Sequence, residues 1–337
     1  MKAIAYYQSL AIDNDAALQD VELPAPTPLP RDLLVEVRAI SVNPVDTKIR
    51  KNVAPENGEA KVLGWDVAGV VKAVGSEVSL FKVGDKVFYA GAINRAGANS
   101  ELHVVDERIV GHMPKNLSFT QSAALPLTAI TAWELLFERL QVVPGNSGKK
   151  HSLLIVGAAG GVGSILVQLA RQLTDLTVIG TASRAETQDW VRELGAHHVI
   201  DHSKPLAEEL KRIGVGQVTH VASLTNTDDH LDQLVEALAP QGKLALIDDP
   251  KSLDVTKLKR KSLSLHWEFM YTRSLFETPD MIEQHRLLNQ VAELIDAGTL
   301  KTTVGEHFGS INAANLRRAH ALLESGKAKG KIVLESF

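Results

Sequence analysis

The stretch Leu153–Leu173, LLIVGAAGGVGSILVQLARQL, holds the residues whose types and spacing most directly imply chemistry. An apolar run rich in Leu, Ile and Val stops at Gly157 and passes through Ala158-Ala159-Gly160-Gly161-Val162-Gly163. It resumes with helical spacing at Ile165, Leu166, Leu169 and Leu173. That pattern predicts strand, tight turn and helix. Glycines let such a turn bend sharply, approach a ligand closely and pack the helix start against the strand. The free N–H groups and the helix dipole can then hold a pyrophosphate. A packed βα turn that binds nothing uses the same residues, so the surrounding chain has to decide.

The elements around that turn alternate. Helix is expected over Ala129–Leu140, Glu186–Leu194, Leu206–Arg212 and Asp229–Leu238, and strand over Thr177–Thr181, His198–Ile200, Val218–Ala222 and Lys243–Ile247. Strands separated by helices of this length imply βαβ crossovers and an α/β fold with a doubly wound parallel sheet. Leu263–Phe269 alternates strictly, with Leu263, Leu265, Trp267 and Phe269 on one face, as suits an edge strand. Such an edge can pair with its symmetry mate in a homodimer, or lie under a loop. Residues before about Leu125 carry short β-like runs broken by Pro and Gly and predict a small β-barrel-like domain. The closing Gly330–Leu334 is β-like and is assigned to that domain. Amphipathic helices are expected over Gln284–Ala297 and Asn312–Ser325.

Length and composition bound the reading. The 337 residues suffice for two domains, each with its own core. A net charge of −4 gives no reason to expect a nucleic-acid partner. The absence of cysteine excludes disulfides and thiolate zinc sites. The first residues, MKAIAYYQSLAIDND, lack the apolar core of a secretion signal, and the glycines of the central turn argue against a membrane span. A cytoplasmic protein is expected.

Several stretches together resemble the medium-chain dehydrogenase/reductase superfamily, in its zinc-free, quinone oxidoreductase-like branch. They are Ser41–Arg50, SVNPVDTKIR; Leu63–Val71, LGWDVAGVV; Val83–Val87; Ala124–Trp133, ALPLTAITAW; the GAAGGVG turn; and Gly330–Val333. The resemblance covers essentially the whole chain, and some similar members carry a zinc-type alcohol dehydrogenase label. It implies a GroES-like β-barrel catalytic domain over 1–124 and 273–337, and a Rossmann dinucleotide-binding domain over 125–272. In zinc-dependent relatives a Cys stands at the position of Asn43, a His at that of Trp65, and a further Cys comes from near Leu127. An amide and an indole are poor zinc ligands. His197, His198 and His202 cluster in sequence, but strand alternation separates neighbours, so no metal is expected.

The resemblance also locates a cofactor. Gly157, Ala159, Gly160, Gly161, Val162 and Gly163 would face the pyrophosphate. Where NAD-specific relatives place an acid after the second strand, this chain has Ala182, followed by Ser183 and Arg184. A carboxylate there would repel a 2′-phosphate, whereas a hydroxyl and a guanidinium fork favour it, so NADPH is expected. His202 matches a position near the adenosine phosphate, Thr131 one near the nicotinamide, and Ile247, Asp248, Phe269 and Met270 the cofactor's other side.

Without zinc to polarise an alcohol, hydride delivery to a quinone or an α,β-unsaturated carbonyl is the expected reaction. It needs orientation and something to stabilise an enolate-like oxyanion. Asn43, Asp46, Lys48 and Tyr89 are the candidate catalytic residues; Trp65 and Phe269 are candidate walls of the substrate cleft. Each also has a plain structural use: turn, helix cap, solvated cation, core. The alternatives are an alcohol dehydrogenase or carbonyl reductase, and a non-catalytic, crystallin-like NADPH-binding protein.

Overall fold

In the computed structural model, which describes residues 1–148 and 150–337, short strands separated by turns fill the first third of the chain. They are β1 (Lys2–Tyr6), β2 (Gln19–Glu22), β3 (Asp32–Val42), β4 (Lys61–Val62), β5 (Val67–Val74), β6 (Lys86–Tyr89), β7 (Leu102–Asp106) and β8 (Val110–His112). Helix α1 (Pro44–Asn52) follows β3 directly, because Pro44 is preset for the first helical turn. Helices α2 (Phe119–Ala123) and α3 (Pro126–Trp133) come next. Along β3, Leu33, Val35, Val37, Ala39 and Ile40 are buried. Its register against β5 shifts between Leu34 and Val35 and again between Val37 and Ala39. Such bulges bend a strand, as a curved sheet requires.

The middle of the chain is a continuous α/β unit, Thr131–Met270. It contains β9 (Ser152–Val156), α4 (Gly161–Leu173), β10 (Thr177–Thr181), α5 (Ala185–Glu193), β11 (His198–Ile200), α6 (Leu206–Arg212), β12 (Val218–Ser223), α7 (Thr227–Ala237), β13 (Leu238–Leu246) and β14 (Ser264–Trp267). The order is β11-β10-β9-β12-β13-β14, and every adjacent pair is parallel. This is the doubly wound Rossmann arrangement expected. The order reverses between β9 and β12, and the crevice at such a switch point is where these sheets bind ligands. Every residue of β9 is buried, which explains its unbroken apolar run.

Several element boundaries differ from expectation, three of them informatively. β13 starts at Leu238 rather than Lys243, taking in Pro240-Gln241-Gly242 where the register against β12 shifts. The Leu263–Phe269 strand is shorter, Ser264–Trp267; it does occupy the sheet edge. The helix expected over Ala129–Leu140 starts at Pro126 and widens into a π turn over Glu134–Arg139, with the Leu140 amide donating to the Leu135 carbonyl at 2.9 Å.

The chain then rejoins the first unit, Met1–Ile130 with Tyr271–Phe337. It adds α8 (Thr272–Leu275), α9 (Glu283–Asp296), β15 (Val304–His307), α10 (Ala313–Glu324) and β16 (Lys331–Glu335). β16 pairs antiparallel with β3, within the order β15-β16-β3-β5-β6-β8, while β7 pairs the other stretch of β3. The closing strand therefore belongs to the β unit, as expected. Buried Arg50 of α1 ties this unit together through Glu324 of α10 and the Leu10 carbonyl. No helix among the described residues is long and apolar enough to cross a membrane.

The β3–β5 pair positions two polar residues of the β unit, since Asn43 leaves the end of β3 and Asp66 precedes β5. At Gly69 the two strands approach so closely that an added Cβ would lie 2.3 Å from the Glu36 carbonyl oxygen. Gly69→Ala is expected to lower the unfolding free energy by about 1–3 kcal/mol, the usual range for overpacking, measured by urea denaturation.

Candidate functional site

In the β unit, Asn43, Asp46, Asp66 and Lys331 form a buried polar group, each 3% exposed or less. Asn43 is the residue before α1, yet its side chain does not cap the helix. Its Nδ2 donates to Asp66 Oδ2 at 2.8 Å, and its Oδ1 accepts from the Lys331 ammonium. Lys331 Nζ lies 2.9 Å from Asp66 Oδ2 and donates to the Val42 carbonyl at 3.0 Å. The second oxygen of Asp66 accepts from the Leu127 amide at 2.8 Å. Burial still holds Asp66 above the usual carboxylate range, opposed by Lys331 and these N–H donors.

Asp46 takes over the capping. Its Oδ2 accepts from the Asn43 amide at 2.7 Å, while Oδ1 has no hydrogen-bond partner among the described residues. Burial pushes its pKa up to about 7, with the negative charge of Asp66 adding to the effect and the Asn43 amide and Lys331 opposing it. Buried Tyr271, from the segment that re-enters this unit, is raised well above its usual value by burial and by both carboxyls.

The remaining sequence candidates of this unit are Lys48, Tyr89 and Trp65. Lys48 is exposed on α1. Tyr89 is fully buried on β6, its hydroxyl 3.0 Å from His103 Nδ1, and burial pushes its pKa well up. Trp65 is buried, and its indole N–H donates to the Ala92 carbonyl at 3.3 Å.

In the α/β unit the glycine turn has the geometry its residues promised. Gly157 sits at φ +81°, where only glycine is unstrained. A Cβ at Gly163 would strike the Ala158 backbone at 2.6 Å, so this glycine permits close packing of the helix start on the turn. With Gly160 as N-cap, the amides of Gly161, Val162 and Gly163 have no acceptor within α4. Ala159 lies in the same turn. These features fit a pyrophosphate.

Around that turn, Thr181 Oγ1 accepts from the Gly157 amide at 3.1 Å and lies 3.0 Å from His202 Nδ1, which brings the His202 loop against the turn. Burial, then His230, lowers the His202 pKa. Ser183 and Arg184 are exposed after β10, with Arg184 at the start of α5. Asp248, next to Ile247 after β13, accepts from the Thr227 amide at 2.8 Å and from its hydroxyl at 2.5 Å, capping α7. Thr131 and Met270 are buried, and Phe269 is 47% exposed.

Sequence reasoning missed Asp66, Lys331 and Tyr271 as members of the polar group. Asp66 and Lys331 stood within stretches already singled out, but an isolated Asp or Lys reads as surface charge until pairing of β16 with β3 buries both.

Comparison with known proteins places this geometry. A zinc-binding dehydrogenase model matches residues 194–334, and an alcohol dehydrogenase GroES-like domain model matches residues 29–118. A zinc-type alcohol dehydrogenase-like protein of Staphylococcus aureus is 38% identical, with 99% of each chain covered. A Rhizobium etli structure described as a zinc-dependent alcohol dehydrogenase superposes with a TM-score of 0.95, at 56% identity, covering 100% of this chain and 98% of the other. Escherichia coli quinone oxidoreductase in complex with NADPH gives a TM-score of 0.85 at 28% identity, covering 99% and 100%.

The zinc that some of these descriptions imply does not fit the residues present. At the two ligand positions marked by the resemblance, Asn43 has its oxygen taken by an ammonium and Trp65 offers only an N–H donor. No group of three or more His, Cys, Asp or Glu among the described residues could hold a metal ion.

Asp46 gives this unit a pH signature. A carboxyl whose pKa is higher folded than unfolded stabilises the fold fully below the unfolded value, and loses that contribution as pH rises through the folded one. Asp46→Asn keeps an acceptor for the Asn43 amide and cannot ionise. It is expected to flatten the fall in stability between the ordinary 3.8 and about 7, measured by urea denaturation across that range.

Proposed function

We propose that this chain, which belongs to the medium-chain dehydrogenase/reductase superfamily and its quinone oxidoreductase-like branch, is an NADPH-dependent reductase of quinones or α,β-unsaturated carbonyls that works without zinc. The observation that carries the reading is the end of β10, where Ala182-Ser183-Arg184 stands at the position of an acid. A carboxylate there would repel a 2′-phosphate; an exposed hydroxyl and guanidinium favour it. The likeness to a quinone oxidoreductase bound to NADPH supports the same choice.

Bound NADPH supplies the hydride. The chain's own part begins with the α4 amides, which hold the pyrophosphate, while Ser183 and Arg184 hold the 2′-phosphate and His202 stands beside the adenosine. Thr131, Ile247, Asp248, Phe269 and Met270 set the nicotinamide's position. In the β unit, Asn43 Nδ2 has a second hydrogen beyond the one given to Asp66 and stabilises the developing oxyanion. Asp46, poised near neutrality, carries a proton for it; solvent is the other source. Lys48 and Tyr89 are further candidate hydrogen-bond or proton donors, and Trp65 is a candidate wall of the substrate cleft. The protein acts in the cytoplasm as a homodimer joined along β14, a reading supported by that strand's place at the sheet edge and by Trp267 and Phe269, 52% and 47% exposed.

Following NADPH and NADH absorbance against quinones, alkenals, enones and simple ketones tests the reading. Oxidation of NADPH by a quinone or enone is expected, and none with either class would overturn it. Oxidation of alcohols with NADP would point instead to an alcohol dehydrogenase. Separately, Arg184→Ala is expected to raise the KM for NADPH about ten- to a hundredfold, the worth of a hydrogen bond between charged groups, and to leave that for NADH nearly unchanged. Equal effects would show that Arg184 does not read the phosphate.

A further inference from the structure

Two buried acids meet where the π turn packs against the end of β14. Glu134 is 1% exposed and Glu268 is 3%. Glu268 Oε2 accepts from Arg139 Nε at 2.8 Å. Its Oε1 is buried and meets no N–H or O–H from any other group among the described residues, and the hydrogen-bonding partner that remains to the side chain is the carboxyl of Glu134. Ionised carboxylates only accept hydrogen bonds, so a bond between two of them requires a proton on one.

The charges around the pair do not remove that requirement. Arg139 faces both acids, but Glu138 on the same turn adds another negative charge. From the sheet side, burial together with Lys243 and Arg139 lowers the pKa of His266, so its ring is neutral at neutral pH. Lys243 itself is turned to the Leu140 carbonyl and to Gln141. Arg139 is thus a cation shared by the two buried acids.

The pair joins two chain segments that the proposed function assigns to the nicotinamide. Thr131 lies three residues before Glu134, and Phe269 and Met270 follow Glu268 directly. The π turn itself is an irregularity of the kind often found at functional sites. We propose that Glu134 and Glu268 share one proton, and that this shared proton clasps the Thr131 helix to the Phe269–Met270 segment, making both acids positioning residues for the cofactor. The second half of this inference rests on the reading of Thr131, Phe269 and Met270 as cofactor-lining. Burial holds Glu268 above the ordinary carboxylate range, consistent with a retained proton. Once that proton is lost, two buried like charges face each other and the clasp opens. The proton-bound state is the one that holds the segments, so cofactor affinity falls as pH rises.

Difference infrared spectroscopy on the full-length protein tests the first half. In an Asp46→Asn background, which removes the other carboxyl raised to about 7, a protonated carboxyl band is expected at neutral pH, lost on adding either Glu134→Gln or Glu268→Gln, since either amide can donate to the remaining carboxylate. Persistence of the band in both double variants, or its absence from the Asp46→Asn background itself, would overturn the shared proton. For the second half, NADPH fluorescence titration is expected to show wild-type affinity falling about tenfold above neutral pH, a usual size for coupling between sites. Glu268→Gln should hold affinity level over the same range. A wild-type profile as flat as the variant's would overturn the positioning role. Absence of NADPH binding at every pH would sink the proposed function and with it the positioning role, while the infrared result would still decide whether the proton is shared.

Discussion

The ion pair between Lys331 and Asp66 is the interaction on which the β unit's candidate site depends. Taking an ammonium and a carboxylate out of water costs several kcal/mol for each ion, and the return comes only when the geometry is good and the remaining lone pairs and protons are satisfied. Here they are. Lys331 also reaches the Val42 carbonyl and Asn43 Oδ1, and Asp66 also accepts from Asn43 Nδ2 and the Leu127 amide. The first residue of β16, the end of β3, the residue before β5 and the start of α3 are thereby bound to a single pair of charges. Asn43 is oriented as a consequence, since both ends of its amide are spoken for, and the capping of α1 falls to Asp46.

The α/β unit solves a different problem. Its candidate site offers backbone amides at the glycine turn, and these come from a helix whose first turn has no acceptors of its own. What the sequence must provide is room, and Gly157 and Gly163 provide it in two ways: a left-handed backbone at one, and close contact with the Ala158 backbone at the other. Thr181 links the turn to the neighbouring loop through one hydroxyl, in contact with both Gly157 and His202. A candidate site built on buried charge and a candidate cofactor cradle built on backbone amides thus coexist in one chain.

Much of this was legible in the sequence for physical reasons. The βαβ alternation, the edge position of the strand near Trp267 and the strand–turn–helix at Gly157 follow from periodicity and from glycine's conformational freedom, which are local properties. The return of Lys331–Glu335 to the β unit was readable from its short β-like run. The polar group was not, because Asp66 and Lys331 are 265 positions apart in numbering and neither has a local pattern that marks burial. The π turn was hidden for a similar reason: Glu134–Arg139 has ordinary helical composition, and the widening shows only in the backbone. The strand β13 was misjudged where Pro240-Gln241-Gly242, a turn by composition, was absorbed into a shift of register.

The β unit is assembled from two separated stretches, whereas Thr131–Met270 is continuous. A polypeptide made from its N-terminus therefore has the entire parallel sheet of the α/β unit available before β16 exists. The sheet can collapse on its own residues during synthesis, in keeping with the tendency of domains to fold as units. The barrel cannot, since Asp66 and Asn43 remain without their ammonium until Lys331 emerges. Biosynthesis thus imposes an order that thermodynamics does not: the α/β sheet is ready first, and the buried polar group of the β unit is completed last.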